Sequence, residues 1–218
     1  MATFVQAVNK VLQRLRESTV TDYNDTDYST LISIFVNDAK REVEDSWDWT
    51  ALRTTITVTT SASDYDYTLT GAGDRFTILN VYNDSTNQKY FLNQMNYKQM
   101  KLLLGLDNTD SSAPVRYAFE GENASNDPTV LMWPVPDGIY SIDFNIVLPQ
   151  ADLSSSSTVI KVPEYPVILG AYAKALEERG EDMGITAQSA WADYNKALAY
   201  AILQDAAKVP DETDWYVM

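Results

Sequence analysis

The sequence predicts an α+β protein. Helix pairs at the two ends of the chain form one four-helix bundle, with an inserted antiparallel β-rich lobe between them and an extended C-terminal tail. Three observations predict it. Apolar residues recur at three- and four-residue steps over 3–17, 26–49 and again through 163–206, the period of buried helix faces. Over 53–60 and 139–148 the pattern changes to alternation rich in β-branched residues, the period of strands. The change falls at Trp47-Asp48-Trp49, where a long helix runs straight into a strand, and two tryptophans there would seal a helical part against a β part. Neither helix pair alone makes a large core, so one shared bundle is the economical packing. The expected domains are a bundle of 1–50 plus 161–208, a β-rich domain of 51–160 and a docking tail of 209–218.

The first helix, 3–17, carries Phe4, Val8, Val11, Leu12 and Leu15 on its apolar stripe, with Thr3 able to cap it. Lys10, Arg14 and Arg16 lie outside the stripe and read as a solvated face or a subunit contact. The second helix, 26–49, aligns Tyr28, Leu31, Ile32, Phe35, Ala39, Val43 and Trp47, and starts on the N-cap oxygens of Asp25, Thr26 and Asp27. Asp38, Lys40, Arg41, Glu42, Glu44 and Asp45 form its expected solvated face.

Strands are expected at 53–60, 64–70 and 76–82 as an antiparallel meander, with a turn at Gly71-Ala-Gly73-Asp74. Residues 93–104 read as a helix capped by Asn93 and stopped by Gly105. Strands resume at 115–120, 129–133 and 139–148, the last two joined through a Pro134-Val-Pro136-Asp-Gly138 hairpin turn. The segment 152–158 reads as a flexible link. Two C-terminal helices follow, joined through a short turn at 181–184 that implies an antiparallel hairpin.

The chain has no cysteine and no histidine. That excludes disulfides, thiolate zinc sites and Cys/His or Ser/His/Asp nucleophilic centres. It leaves carboxylate-only or Ser–Lys chemistry, or an oxygen-ligand metal site. Acidic pairs occur at Asp64/Asp66, Glu177/Glu178 and Glu181/Asp182, but among 31 acidic residues such pairs arise by chance. The run from Asp22 to Thr26 lacks the central glycine and terminal glutamate of a calcium loop. Catalytic residues, metal ligands and cofactors are therefore expected to be none. No apolar run reaches the length of a membrane span, and the N-terminus lacks the continuous apolar stretch of a signal peptide.

Net charge is −15, spread as −4, −6 and −5 over 1–50, 51–160 and 161–218. Such a surface repels nucleic acid, because DNA binding rests on neutralising phosphates with Lys and Arg. The end of the chain is the exception to this solvated character. Trp215, Tyr216, Val217 and Met218 are bulky and apolar, and a frayed terminus should be polar. They dock either on their own bundle or, the favoured reading, on another subunit or protein.

Two blocks resemble the head-to-tail adaptor proteins of tailed bacteriophages, the short-tailed ones above all. One is 31–60, LISIFVNDAKREVEDSWDWTALRTTITVTT, with its Asn37-Asp38-Ala39-x-Arg41-x-Val43 run and Trp47-x-Trp49. The other is 169–205, LGAYAKALEERGEDMGITAQSAWADYNKALAYAILQD. The resemblance implies a non-catalytic virion protein that is assembled in the host cytoplasm and sits at the head–tail junction. Its copies form a homo-oligomeric ring, commonly dodecameric, below the portal protein and present a platform to the tail tube or nozzle and to tail fibres. Double-stranded DNA passes through the ring without specific binding, and no membrane is involved. An extended C-terminus against the portal gives Trp215, Tyr216, Val217 and Met218 a docking role. Glu177, Glu178, Glu181 and Asp182, at the hairpin tip, would then line or approach the DNA channel, and like charge would keep phosphates from sticking. The alternative is another tail-completion or nozzle-associated structural protein. A carboxylate-based tail glycosidase is the remotest reading; it requires two carboxylates in an aromatic cleft.

Overall fold

The computed structural model describes residues 1–85, 89–106, 111–180 and 185–209. Among the described residues it is a mixed α+β structure of five α-helices and two sheets. The chain divides into two compact units, 1–52 with 149–218, and 53–148.

The first unit is helical. Helix α1 (Phe4–Arg14) opens on a capping box, in which the Gln6 amide donates to Thr3 Oγ1 and the Thr3 amide donates to Gln6 Oε1. Helix α2 (Asp27–Asp45) opens on Thr26 in the same way, with Ser29 as the reciprocal partner. Its buried face is Ser29, Ile32, Ser33, Val36, Ala39, Lys40, Val43 and Glu44. That corrects the expected stripe. Tyr28, Leu31 and Phe35 are only half-buried, and Lys40 and Glu44 lie inside rather than on the solvated face. The hydropathy pattern located the helix, but an ion pair four residues apart rotated its buried side.

Two further helices belong to this unit, α4 (Glu164–Glu178) and α5 (Ile185–Ala206). Helix α4 packs against α1, α2 and α5. It buries Val167, Ile168, Leu169, Ala171, Ala173, Ala175 and Leu176, which together cover its circumference, as expected of a helix packed on several sides. A Cβ built on Gly170 would lie 3.1 Å from Ala39 Cβ and 3.1 Å from Tyr194 Cε2, so glycine sets the close approach of α4 to both α2 and α5.

The segment expected as a flexible link is fixed. Asn37 bonds the Leu153 backbone twice, donating to its carbonyl and accepting from its amide. The Phe4 amide donates to Thr158 O, Ile160 N–H to Ala2 O, and Ser156 Oγ to Asp22. Leu153 and Ile160 are buried. Polar composition marked a loop correctly, but its backbone and the Ser156 hydroxyl find partners on α1, α2 and the turn between them.

The second unit contains β1 (Arg53–Thr59), β2 (Asp66–Thr68), β3 (Thr77–Asn83), β4 (Tyr90–Phe91), β5 (Asn93–Gln94), α3 (Tyr97–Leu106), β6 (Arg116–Glu122), β7 (Pro128–Trp133) and β8 (Ser141–Val147). One sheet has the order β1-β8-β3-β4 and the other β2-β7-β6-β5. All pairs are antiparallel except β5 with β6. The core between the sheets combines Val58, Val81, Ile142, Phe144 and Ile146 from the first with Tyr117, Val130 and Met132 from the second. The opposite face of the second sheet, Ala118 and Leu131, packs on Met100 of α3.

Three local expectations change. The strands are not a meander, since β8 inserts between β1 and β3. The Pro134–Gly138 segment is not a hairpin turn, because β7 and β8 belong to different sheets. Asn93 pairs in β5 rather than capping a helix; α3 begins at Tyr97, with Asn96 Oδ1 accepting from the Lys98 amide at 2.9 Å. The Gly71–Gly73 turn is present and also passes between sheets. Both glycines have positive φ, and their amides converge on buried Asp127 Oδ1 at 2.9 and 3.2 Å.

Candidate functional site

The residues singled out in the sequence fall into four places. The first is the end of α4. Glu177 and Glu178 are exposed there, and Glu177 accepts a 2.5 Å hydrogen bond from the Trp191 indole of α5. Lys174 bridges to Glu42 of α2 at 2.8 Å and lies 5.8 Å from the Trp191 ring centroid. Arg179 donates to Glu17 and to the Tyr28 hydroxyl, and its guanidinium sits 5.0 Å from the Tyr28 ring centroid. The acidic end is thus edged by cations committed to other partners, while Glu178 faces solvent. Glu181 and Asp182 lie outside the described residues.

The second place is the stretch after α2. Trp49 is buried, and its indole donates to Val43 O at 2.6 Å, folding the chain back onto the helix end. Trp47 is half-buried, and its indole nitrogen has no hydrogen-bond partner among the described residues. Thr50 next bonds Asp205 of α5 twice, through its amide at 2.8 Å and its hydroxyl at 2.6 Å. Burial pushes the Asp205 carboxyl up, but the bonds from Thr50 and Lys208 outweigh it and leave the group below the usual carboxylate range. This pin fixes the end of α5. Trp215, Tyr216, Val217 and Met218 lie outside the described residues.

The third is the basic side of α1. Lys10 pairs with Glu164 at 2.6 Å, and Arg14 lies 5.8 Å from the Tyr172 ring centroid. Lys10, Gln13, Arg14, Glu164, Tyr165 and Ile168 line an open groove of about 460 Å3 between α1 and α4.

Sequence reasoning missed the centre of the helical unit. Lys40 and Glu44 have fully buried side chains and pair at 3.2 Å. Lys40 Nζ also donates to the carbonyls of Gln150, at 2.6 Å, and Ala151, while Glu44 accepts from the Gln150 amide at 3.1 Å. The pair thus clamps the incoming 149–153 segment to α2. The i, i+4 spacing of opposite charges was the available signal, but exposed pairs show it equally often.

The remaining acidic pair, Asp64/Asp66, sits on exposed positions of the β unit. Burial, then Glu120 and Asp64, push the Asp66 carboxyl above its usual range, while Lys101 holds Glu120. Among the described residues no group of three or more acids is placed to hold a metal ion, and no helix is long and apolar enough to cross a membrane.

These places are helix ends, pins and one open groove. The class comes from comparison with known families: the model of the SU10 adaptor protein family matches residues 2–214. The chain belongs to the SU10 adaptor protein family, and is thereby a structural adaptor of a bacteriophage virion. No curated protein matches it in sequence.

Proposed function

We propose that this chain is the ring-forming adaptor that joins the portal to the tail tube or nozzle of a short-tailed phage. The family match over residues 2–214 carries the reading. Copies close a ring, dodecameric as in the adaptors the chain resembles, at the head–tail junction, and double-stranded DNA passes through its bore. Helices α1, α2, α4 and α5 act as one four-helix bundle domain, 1–50 with 161–208. The β-rich domain, 51–160, offers the platform to tail proteins and fibres.

Segment 209–218 docks on the portal through Trp215, Tyr216, Val217 and Met218, aromatic and apolar anchors of the kind that dominate interfaces. The Asp205–Thr50 pin supports this role, because it gives the docking segment a fixed point of departure. Glu177, Glu178, Glu181 and Asp182 face the channel, where like charge lets phosphates slide past.

The test is co-sedimentation with the portal ring from the same genome, comparing the full chain with a version ending at Lys208. Stoichiometric binding of the full chain alone is the expected result. Binding by both versions transfers the contact to the helical domain. Binding by neither, with the chain still present in purified virions, places it lower in the tail.

A further inference from the structure

We propose that the free chain pairs edge to edge with a second copy of itself through β1, in antiparallel register about a two-fold axis, to make one continuous eight-stranded sheet. Among the described residues the two sheets have four edges, and three of them are short. β4 and β5 are two residues each, and β2 is three. The fourth, β1, runs seven residues, Arg53–Thr59, and pairs only with β8.

Proteins protect long edges with proline, charge, bulges or brevity. β1 has none of these beyond Arg53 at its start. Its register with β8 is unbroken over all seven residues, whereas β3 and β6 both carry irregularities.

The direction of its backbone groups follows from the ladder. The Thr60 amide donates to Tyr140 O, so Thr60, Val58, Ile56 and Thr54 face β8. Arg53, Thr55, Thr57 and Thr59 therefore turn their N–H and C=O groups to the open edge.

The second copy is the occupant because the strand is complementary to itself. The register that overlaps all seven residues sets Ile56 opposite Ile56 at the two-fold. It pairs Thr54 with Val58 on the core face, and Thr55 with Thr57 and Arg53 with Thr59 on the outer face. Threonine pairs and apolar pairs are the favourable cross-strand combinations, and the two arginines are kept apart. Ile56, only half-buried in one copy, gains its missing neighbour. The contact is isologous, unlike the head-to-tail contacts of a ring, so the inference goes beyond the adaptor reading and does not rest on it. A seven-residue strand pair lies at the small end of interfaces, so association in the micromolar range is expected.

The chain has no cysteine, so single cysteines report geometry cleanly. At the two-fold, Cα atoms of a non-hydrogen-bonded pair stand about 4.5 Å apart, within disulfide range. Ile56→Cys in the full chain should therefore cross-link to a dimer under mild oxidant. Thr54→Cys lies on the same face but is separated from its own copy by about 14 Å, and should not cross-link. Thr57→Pro removes an N–H that β8 does not use and gives up the Thr57 hydroxyl bond to Asp143, so it should lower the melting temperature by only a few degrees while the sedimenting mass stays at 24.5 kDa. The native chain should rise toward twice that mass with concentration. Cross-linking by both cysteines or by neither overturns the proposal, as does a proline variant that folds and still dimerises. A native chain that stays monomeric at the highest concentrations does so too.

Discussion

Lys40 decides how the helical unit closes. Its ammonium is stripped of water and held by one carboxylate and two backbone carbonyls, so removing it leaves Glu44 without its cation in a buried site. Lys40→Met is expected to cost about 3–5 kcal/mol in urea unfolding. Lys40→Met with Glu44→Leu should recover part of that loss, because the two buried charges go together. Gly170 is the second sensitive residue. Alanine there gains helix propensity but meets Ala39 and Tyr194 at 3.1 Å, so the two effects oppose. Gly170→Leu has no such balance and should cost at least about 1–3 kcal/mol by overpacking, read as a lower urea midpoint. Asp205 gives the pH prediction. Its folded carboxyl titrates below the unfolded one, so its stabilisation is complete above the unfolded value, about 4, and is lost as pH falls through the folded value. The stability gap between the native chain and Asp205→Asn should be constant from pH 7 to about 5 and close below about 4.

Among the elements, the turn between β2 and β3 is built around one carboxylate. Asp127 collects the amides of Gly71 and Gly73, both at positive φ, and so carries the chain from one sheet to the other. Asp127→Ala should cost about 1–3 kcal/mol by leaving two amides without their acceptor, and Gly71→Ala about 1–2 kcal/mol through backbone strain; thermal melts of each variant read both losses. The loop at 149–163 gains order in the same way, from Asn37, Glu44 and Asp22 rather than from any regularity of its own. Helices were legible because their caps and apolar periods are local. Thr3 and Thr26 announced α1 and α2, and both act as caps. Asn93 failed as a cap because β6 recruited it into a parallel pair, and nothing within the segment itself records that partner.

At the scale of the whole molecule, charge governs association. A net charge of −15 makes copies repel, and salt screens that repulsion with a Debye length near 10 Å at 0.1 M. Any copy-to-copy contact should therefore tighten several-fold between roughly 50 and 500 mM salt, opposite to the trend of a DNA-binding protein. Sedimentation equilibrium across that range checks the sign. The family match spans 2–214, so both compact units belong to the adaptor and neither is an appended module.

The sequence by itself determined the mixed α+β class, the place of most helices and strands, the glycine turn and the likeness to phage adaptors. Those properties are written in local periodicity, capping residues and short motifs, which need no distant partner. Tertiary structure alone decided that β8 enters between β1 and β3, that two sheets rather than one meander form the β unit, and that Lys40 and Glu44 turn inward. Each of these depends on residues far apart in the chain. A strand carries no label for its neighbour, and a charge buries only where another segment brings the carbonyls and amide that replace its water.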